Sequence, residues 1–183
     1  MAESSDSAGP VDQQRRAQPT FRSELVRTTF VTEESVYGVI LVSGMIVVSG
    51  GHGDTAWRVF WTVLVTVLVF WAAHVYAGTV ARHGLDDEHM AGLGAAFRSA
   101  FRRSLGLLAS SAIPLFIVLL GATRAIPDIY AIWAALWAGV AVLAVLGWIA
   151  FARRGSPWPI RLAGAAGTAA FGVAMIVLKS LVH

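Results

Sequence analysis

The chain has 183 residues, 56% of them hydrophobic and only 14% charged. A soluble domain carries about 25% charged residues, so this chain lacks the charge to cover a water-facing surface and is expected to be an integral membrane protein. Its formal net charge of +3 comes from arginines spread between apolar runs, which argues against nucleic acid as a partner. The absence of cysteine excludes disulfides, thiolate metal sites and thiol catalysis.

Residues 1–30 are polar and lack the apolar centre of a signal peptide, so they are expected to form a disordered cytoplasmic tail. Residues 31–183 are then one membrane domain. Crossing the hydrocarbon takes about 20 apolar residues, and five runs qualify. The first, about 34–50, is the shortest, "ESVYGVILVSGMIVVSG". The second runs from about 57 to 82 and the third from about 105 to 123. The fourth covers about 127–151 and the fifth about 158–178. The runs are continuous rather than alternating, so they predict helices and an all-α fold.

One long connection, 83–104, separates the second and third runs. In it Met90, Leu93, Phe97, Ala100 and Phe101 recur at helical spacing, with Arg98, Arg102 and Arg103 elsewhere on the wheel. That pattern predicts a cytoplasmic amphipathic helix, lying on the membrane surface or packed under the bundle.

Basic residues alternate with the spans. The tail, the 83–104 connection with Arg82, and the turn between helices four and five hold eleven arginines. The opposite side holds Arg58, Arg124 and Lys179. The positive-inside rule then predicts a multi-pass cell-membrane protein with a cytoplasmic N-terminus and an external C-terminus.

His74 interrupts an apolar stretch, "VFWAAHVYAG". An imidazole in a membrane helix needs a polar partner and tends to face the bundle interior. Thr62, Thr66, Phe70 and His74 follow at i+4, so two hydroxyls and an imidazole could line a proton or cation path. The alternative is a structural histidine bonded to a neighbouring helix. Glu34 and Tyr37 open helix one at the same end and are expected to meet His74. Glu33 and Glu34 also suit a first helical turn. "RHGLDDEHM" (82–90) offers His83, Asp87 and His89 as ligands for a divalent metal. A capping reading, with Gly84 ending one helix and Asp86 starting the next, accounts for the acids equally well. Pro114 frees a carbonyl in helix three that Ser110 and Ser111 are placed to satisfy. In helix five Gly164, Thr168 and Gly172 form a small-residue seam. Helix four is nearly all apolar and is expected to face lipid or a partner. No P-loop, HExxH or GxSxG motif is present, so no enzymatic activity is expected.

Five helices with one helical cytoplasmic insertion between helices two and three resemble the vacuolar iron transporter family. "SSAIPLF" (110–116) is similar to that family's third helix, and "RLAGAAGTAAFGVAMIV" (161–177) to its last. The resemblance implies a homodimer exporting ferrous iron or manganese in exchange for protons, with the metal as substrate rather than as a resident cofactor. Where the family carries an aspartate in helix one, this chain reads "YGVILVSGM". Where the family carries methionine and glutamate in helix two, it reads "AAHVYAGT". His74 and Tyr76 would then stand in the pathway. The leading expectation is a cation or proton transporter, and the alternative is a non-transporting accessory or scaffold protein. Polar groups converging at mid-membrane would mark the first, an apolar closed centre the second.

Overall fold

The computed structural model describes residues 33–50, 55–83 and 92–182. Five helices occur among them and no strand: α1 (Glu33–Ser49), α2 (Ala56–His83), α3 (Leu93–Ala122), α4 (Asp128–Ala152) and α5 (Trp158–Val182). The last four are long and apolar enough to cross a membrane, as expected of a multi-pass membrane protein. At 17 residues α1 is shorter, about 25 Å at 1.5 Å per residue. The expected tail lies outside the described residues.

One expectation is corrected. Residues 93–104 are not a separate amphipathic helix but the first three turns of α3, which runs unbroken for 30 residues. Nothing between Leu93 and Pro114 breaks a helix, and Ser104 bonds back to the Ala100 carbonyl at 2.9 Å, within the ladder. Hydropathy changes at Leu105 while the backbone does not. A helix of 30 residues is about 45 Å long and outreaches a hydrocarbon core of about 30 Å.

α1 is the hub and touches the other four helices. Its Val42, Ile46 and Val47 meet Val59, Val63 and Val67 of α2, Leu107 and Val118 of α3, and Ile132, Ala135 and Leu136 of α4. Lipid tails are as apolar as these side chains. Close packing therefore holds the bundle together more than transfer from water does. Gly38 shows the packing: a Cβ there would lie 2.7 Å from the Leu107 carbonyl oxygen, so α1 could not rest on α3 with a larger residue.

α4, expected to face lipid or a partner, is buried on one side and exposes Trp137, Val145 and Trp148 elsewhere. Eight of its residues, from Ala131 to Gly147, are buried, against α5, α3 and α1. Its lack of polar side chains reflects close helix contact, with Thr168 of α5 donating to the Leu143 carbonyl at 2.7 Å. The serines near Pro114 also act otherwise than expected. Ser111 donates to the Leu107 carbonyl at 2.7 Å and Ser110 to the Ser35 carbonyl of α1 at 2.8 Å. Their hydroxyls bond elsewhere than the carbonyl that Pro114 frees, Ser111 within α3 and Ser110 across to α1.

Charged groups close one end of the bundle. Asp128, opening α4, accepts from the Ala56 amide at 3.0 Å and so caps α2. Lys179, only 6% exposed, donates to the Gly50 carbonyl at 2.6 Å and caps the C-terminal end of α1. A carboxylate at a helix start and an ammonium at a helix end each complement the dipole there.

Candidate functional site

The opposite end holds the densest group of ionisable side chains among the described residues. Glu34 lies in the first turn of α1 and is 4% exposed. Arg103 of α3 donates from Nε to Glu34 Oε1. His74 of α2 places Nε2 3.9 Å from the same oxygen, inside ion-pair range and outside hydrogen-bond range. Phe70, one turn away on α2, stacks on the imidazole with centroids 6.2 Å apart. Tyr37, a turn on from Glu34, lines the same cavity of about 360 Å³, with Ser104 and Gly78.

Small residues let α2 and α3 come together here. A Cβ on Gly78 would sit 3.3 Å from the Ala100 Cβ. Thr79, buried in the contact, bonds the Val75 carbonyl at 2.7 Å on its own helix, so its hydroxyl is satisfied. The hairpin thus presents His74 and Arg103 to Glu34 at one level.

That level can be placed. Ala56 and Gly121 lie at the far end, where a Cβ on Gly121 would meet Ala56 at 3.1 Å. Residues 56–74 of α2 and 103–121 of α3 each cover about 27 Å. Lys179 and Asp128 mark one edge of the apolar slab, so Glu34, His74 and Arg103 mark the other, against a hydrocarbon thickness of about 30 Å. The cluster thus lies at one end of the apolar bundle, about one hydrocarbon thickness from Lys179 and Asp128. Beyond it the α2–α3 pair continues for about 14 Å.

Of the residues read from sequence, Glu34, Tyr37 and His74 come together. Ser110 lies close by, its hydroxyl committed to the Ser35 carbonyl. Thr66 is about 12 Å up the axis from His74, bonded to the Thr62 carbonyl at 2.8 Å. Tyr76 is 72% exposed and does not line the cavity. Asp87 and His89 lie outside the described residues, as does the side chain of His83. No group of three or more His, Asp or Glu able to hold a metal occurs among the described residues. In the sequence Arg103 reads only as one of the connection's arginines, on the polar side of its helical wheel; its place beside Glu34 depends on α3 packing against α1.

Chemically, the cluster pairs one buried carboxylate with a permanent cation and a histidine. The guanidinium and the imidazole both address one carboxylate oxygen, Glu34 Oε1. No protein-family model, curated protein or solved structure matches this chain.

Proposed function

We propose that this chain is a non-transporting, non-enzymatic membrane protein, an accessory or scaffold subunit with five transmembrane helices and no resident cofactor. The N-terminus is cytoplasmic and the C-terminus external, and the α2–α3 hairpin stands into the cytoplasm. One observation carries the reading: between the two charged ends the described centre is apolar and closed. Val42, Ile46, Val63, Leu107, Val118 and Leu136 fill it. The hydroxyls of Thr66, Ser110 and Ser111 are engaged by backbone carbonyls. Ser43 Oγ is the hydroxyl at this depth that is buried with no hydrogen-bond partner, and a single hydroxyl makes no path. Leu93 and Phe97, exposed on the projecting hairpin, offer a partner an apolar contact.

The second reading is cation or proton transport by a homodimer on a vacuolar-iron-transporter-like fold. The buried Glu34 in a cavity open at one end favours it, because a buried ionisable group in a membrane protein is a functional candidate. Proteoliposomes carrying the full chain separate the two. The first reading expects ferrous iron, manganese and proton fluxes equal to those of empty liposomes. A saturable flux abolished by Glu34→Gln in a folded protein would establish the second.

A further inference from the structure

We propose that Arg98 and Arg102 bind the phosphate of an anionic phospholipid headgroup at the Glu34 end of the bundle. The two arginines are one turn apart on α3, both exposed, and flank a groove of about 540 Å³ with Gly94, Ala95 and Ser99. Neighbouring Arg103 is engaged by Glu34, whereas Arg98 and Arg102 have no carboxylate partner among the described residues. The floor of the groove is small: a Cβ at Gly94 would meet nothing within 4 Å. The stripe 94, 95, 98, 99, 102 therefore pairs two free guanidinium groups with open space.

Depth selects the ligand. Counted along α3 from Gly121, Arg102 lies about 28 Å and Arg98 about 35 Å from the far edge. A hydrocarbon core of about 30 Å flanked by headgroup layers, for about 40–45 Å in all, puts the phosphates between these two levels. Long arginine stems reach along the helix to such a plane, and the guanidinium fork matches phosphate geometry. An acidic segment of a soluble protein would meet these groups only by entering the headgroup layer, so lipid is the occupant the geometry favours. The inference needs the chain to span a membrane and is independent of whether it transports.

The test uses the full chain in detergent with phosphatidylglycerol, phosphatidylcholine or inorganic phosphate, read by native mass spectrometry of the retained adducts. The unsubstituted protein is expected to retain phosphatidylglycerol over phosphatidylcholine by about thirtyfold, at about 1 kcal/mol for each of the two arginines near the lipid surface. Arg98→Gln with Arg102→Gln should remove most of that preference. Arg153→Gln with Arg154→Gln, exposed in the α4–α5 turn at the same end, should lower it much less, and an equal loss would overturn the assignment to Arg98 and Arg102. Equal retention of the two lipids, or an unchanged preference in the Arg98/Arg102 double variant, would overturn the proposal. So would displacement of the lipid by millimolar inorganic phosphate, which would make this a soluble-phosphate site. The phosphatidylcholine and inorganic phosphate arms use the unsubstituted chain, so they decide the matter whatever the variant's stability.

Discussion

Arg103 reaches Glu34 across 69 residues of sequence and joins α3 to α1. The two partners are unequally buried, the arginine side chain being 54% exposed and the glutamate side chain 5%. This asymmetry has a measurable consequence. Arg103→Gln takes a cation from a carboxylate that stays buried, whereas Glu34→Gln leaves an arginine that water and headgroups still solvate. Losing one partner of a buried pair costs about 3–5 kcal/mol. Exposure of Arg103 reduces this toward the range of about 1 kcal/mol or less for surface pairs. Thermal unfolding in detergent should show Arg103→Gln as the more destabilising substitution. The double variant should recover to the level of Glu34→Gln. Equal losses from the two single variants would show that the buried carboxylate is no liability.

Lys179 was legible only as a charge to be counted on one side of the membrane. Its bond to the Gly50 carbonyl spans 129 residues, and no spacing rule links a last-turn lysine to the end of the first helix. Lys179→Met keeps the stem and removes the ammonium. It should lower stability by about 1 kcal/mol, the upper part of the usual charge–dipole range. Lys179→Glu should cost more, because it sets a negative charge against the carbonyl end of α1. If both variants melt with the parent, the contact contributes nothing.

The helices were legible because five apolar runs have no soluble alternative. What failed has a geometric cause. The row Thr62, Thr66, Phe70, His74 looked like one face, yet each i+4 step turns the helix by about 40°, so three steps rotate it by about 120°. Thr66 consequently stays with its own helix and His74 turns to Glu34. The Leu105 boundary failed because polarity changes where the helix does not. Tyr76, two residues from His74, lies on a different side of α2 and is mostly exposed. Arg103 as a partner for Glu34 and Asp128 as a cap for Ala56 both depend on tertiary approach, which no local pattern encodes.

The α4–α5 seam gives a matched pair of substitutions. A Cβ on Gly147 would lie 2.5 Å from the Gly164 carbonyl oxygen, a backbone atom that cannot swing aside. Gly147→Ala should force the helices apart and cost about 1–3 kcal/mol. Gly167, on the partner helix, has nothing within 4 Å of its would-be Cβ. Gly167→Ala should be neutral or stabilise by up to about 1 kcal/mol, since alanine is the better helix former. Melting temperatures that fall equally for both would locate the seam elsewhere.

Orientation can be tested directly because the chain contains no cysteine, so any introduced thiol is the sole label site. Leu93 is exposed at the start of α3 and Thr123 just past its end, about 45 Å apart along one helix. As a transmembrane helix, α3 would put these two positions on opposite sides of the bilayer. The proposed orientation, drawn from the basic asymmetry of eleven to three, has Leu93 inside. Leu93→Cys should react with a membrane-impermeant maleimide only after cells are opened, and Thr123→Cys should react in intact cells. Introducing the thiol should not disturb packing, because both side chains are exposed. Labelling of Thr123→Cys only after lysis, with Leu93→Cys labelled in intact cells, would reverse the proposed orientation and move the Glu34 cluster to the external face. Labelling of both from one side would show that α3 does not cross the membrane.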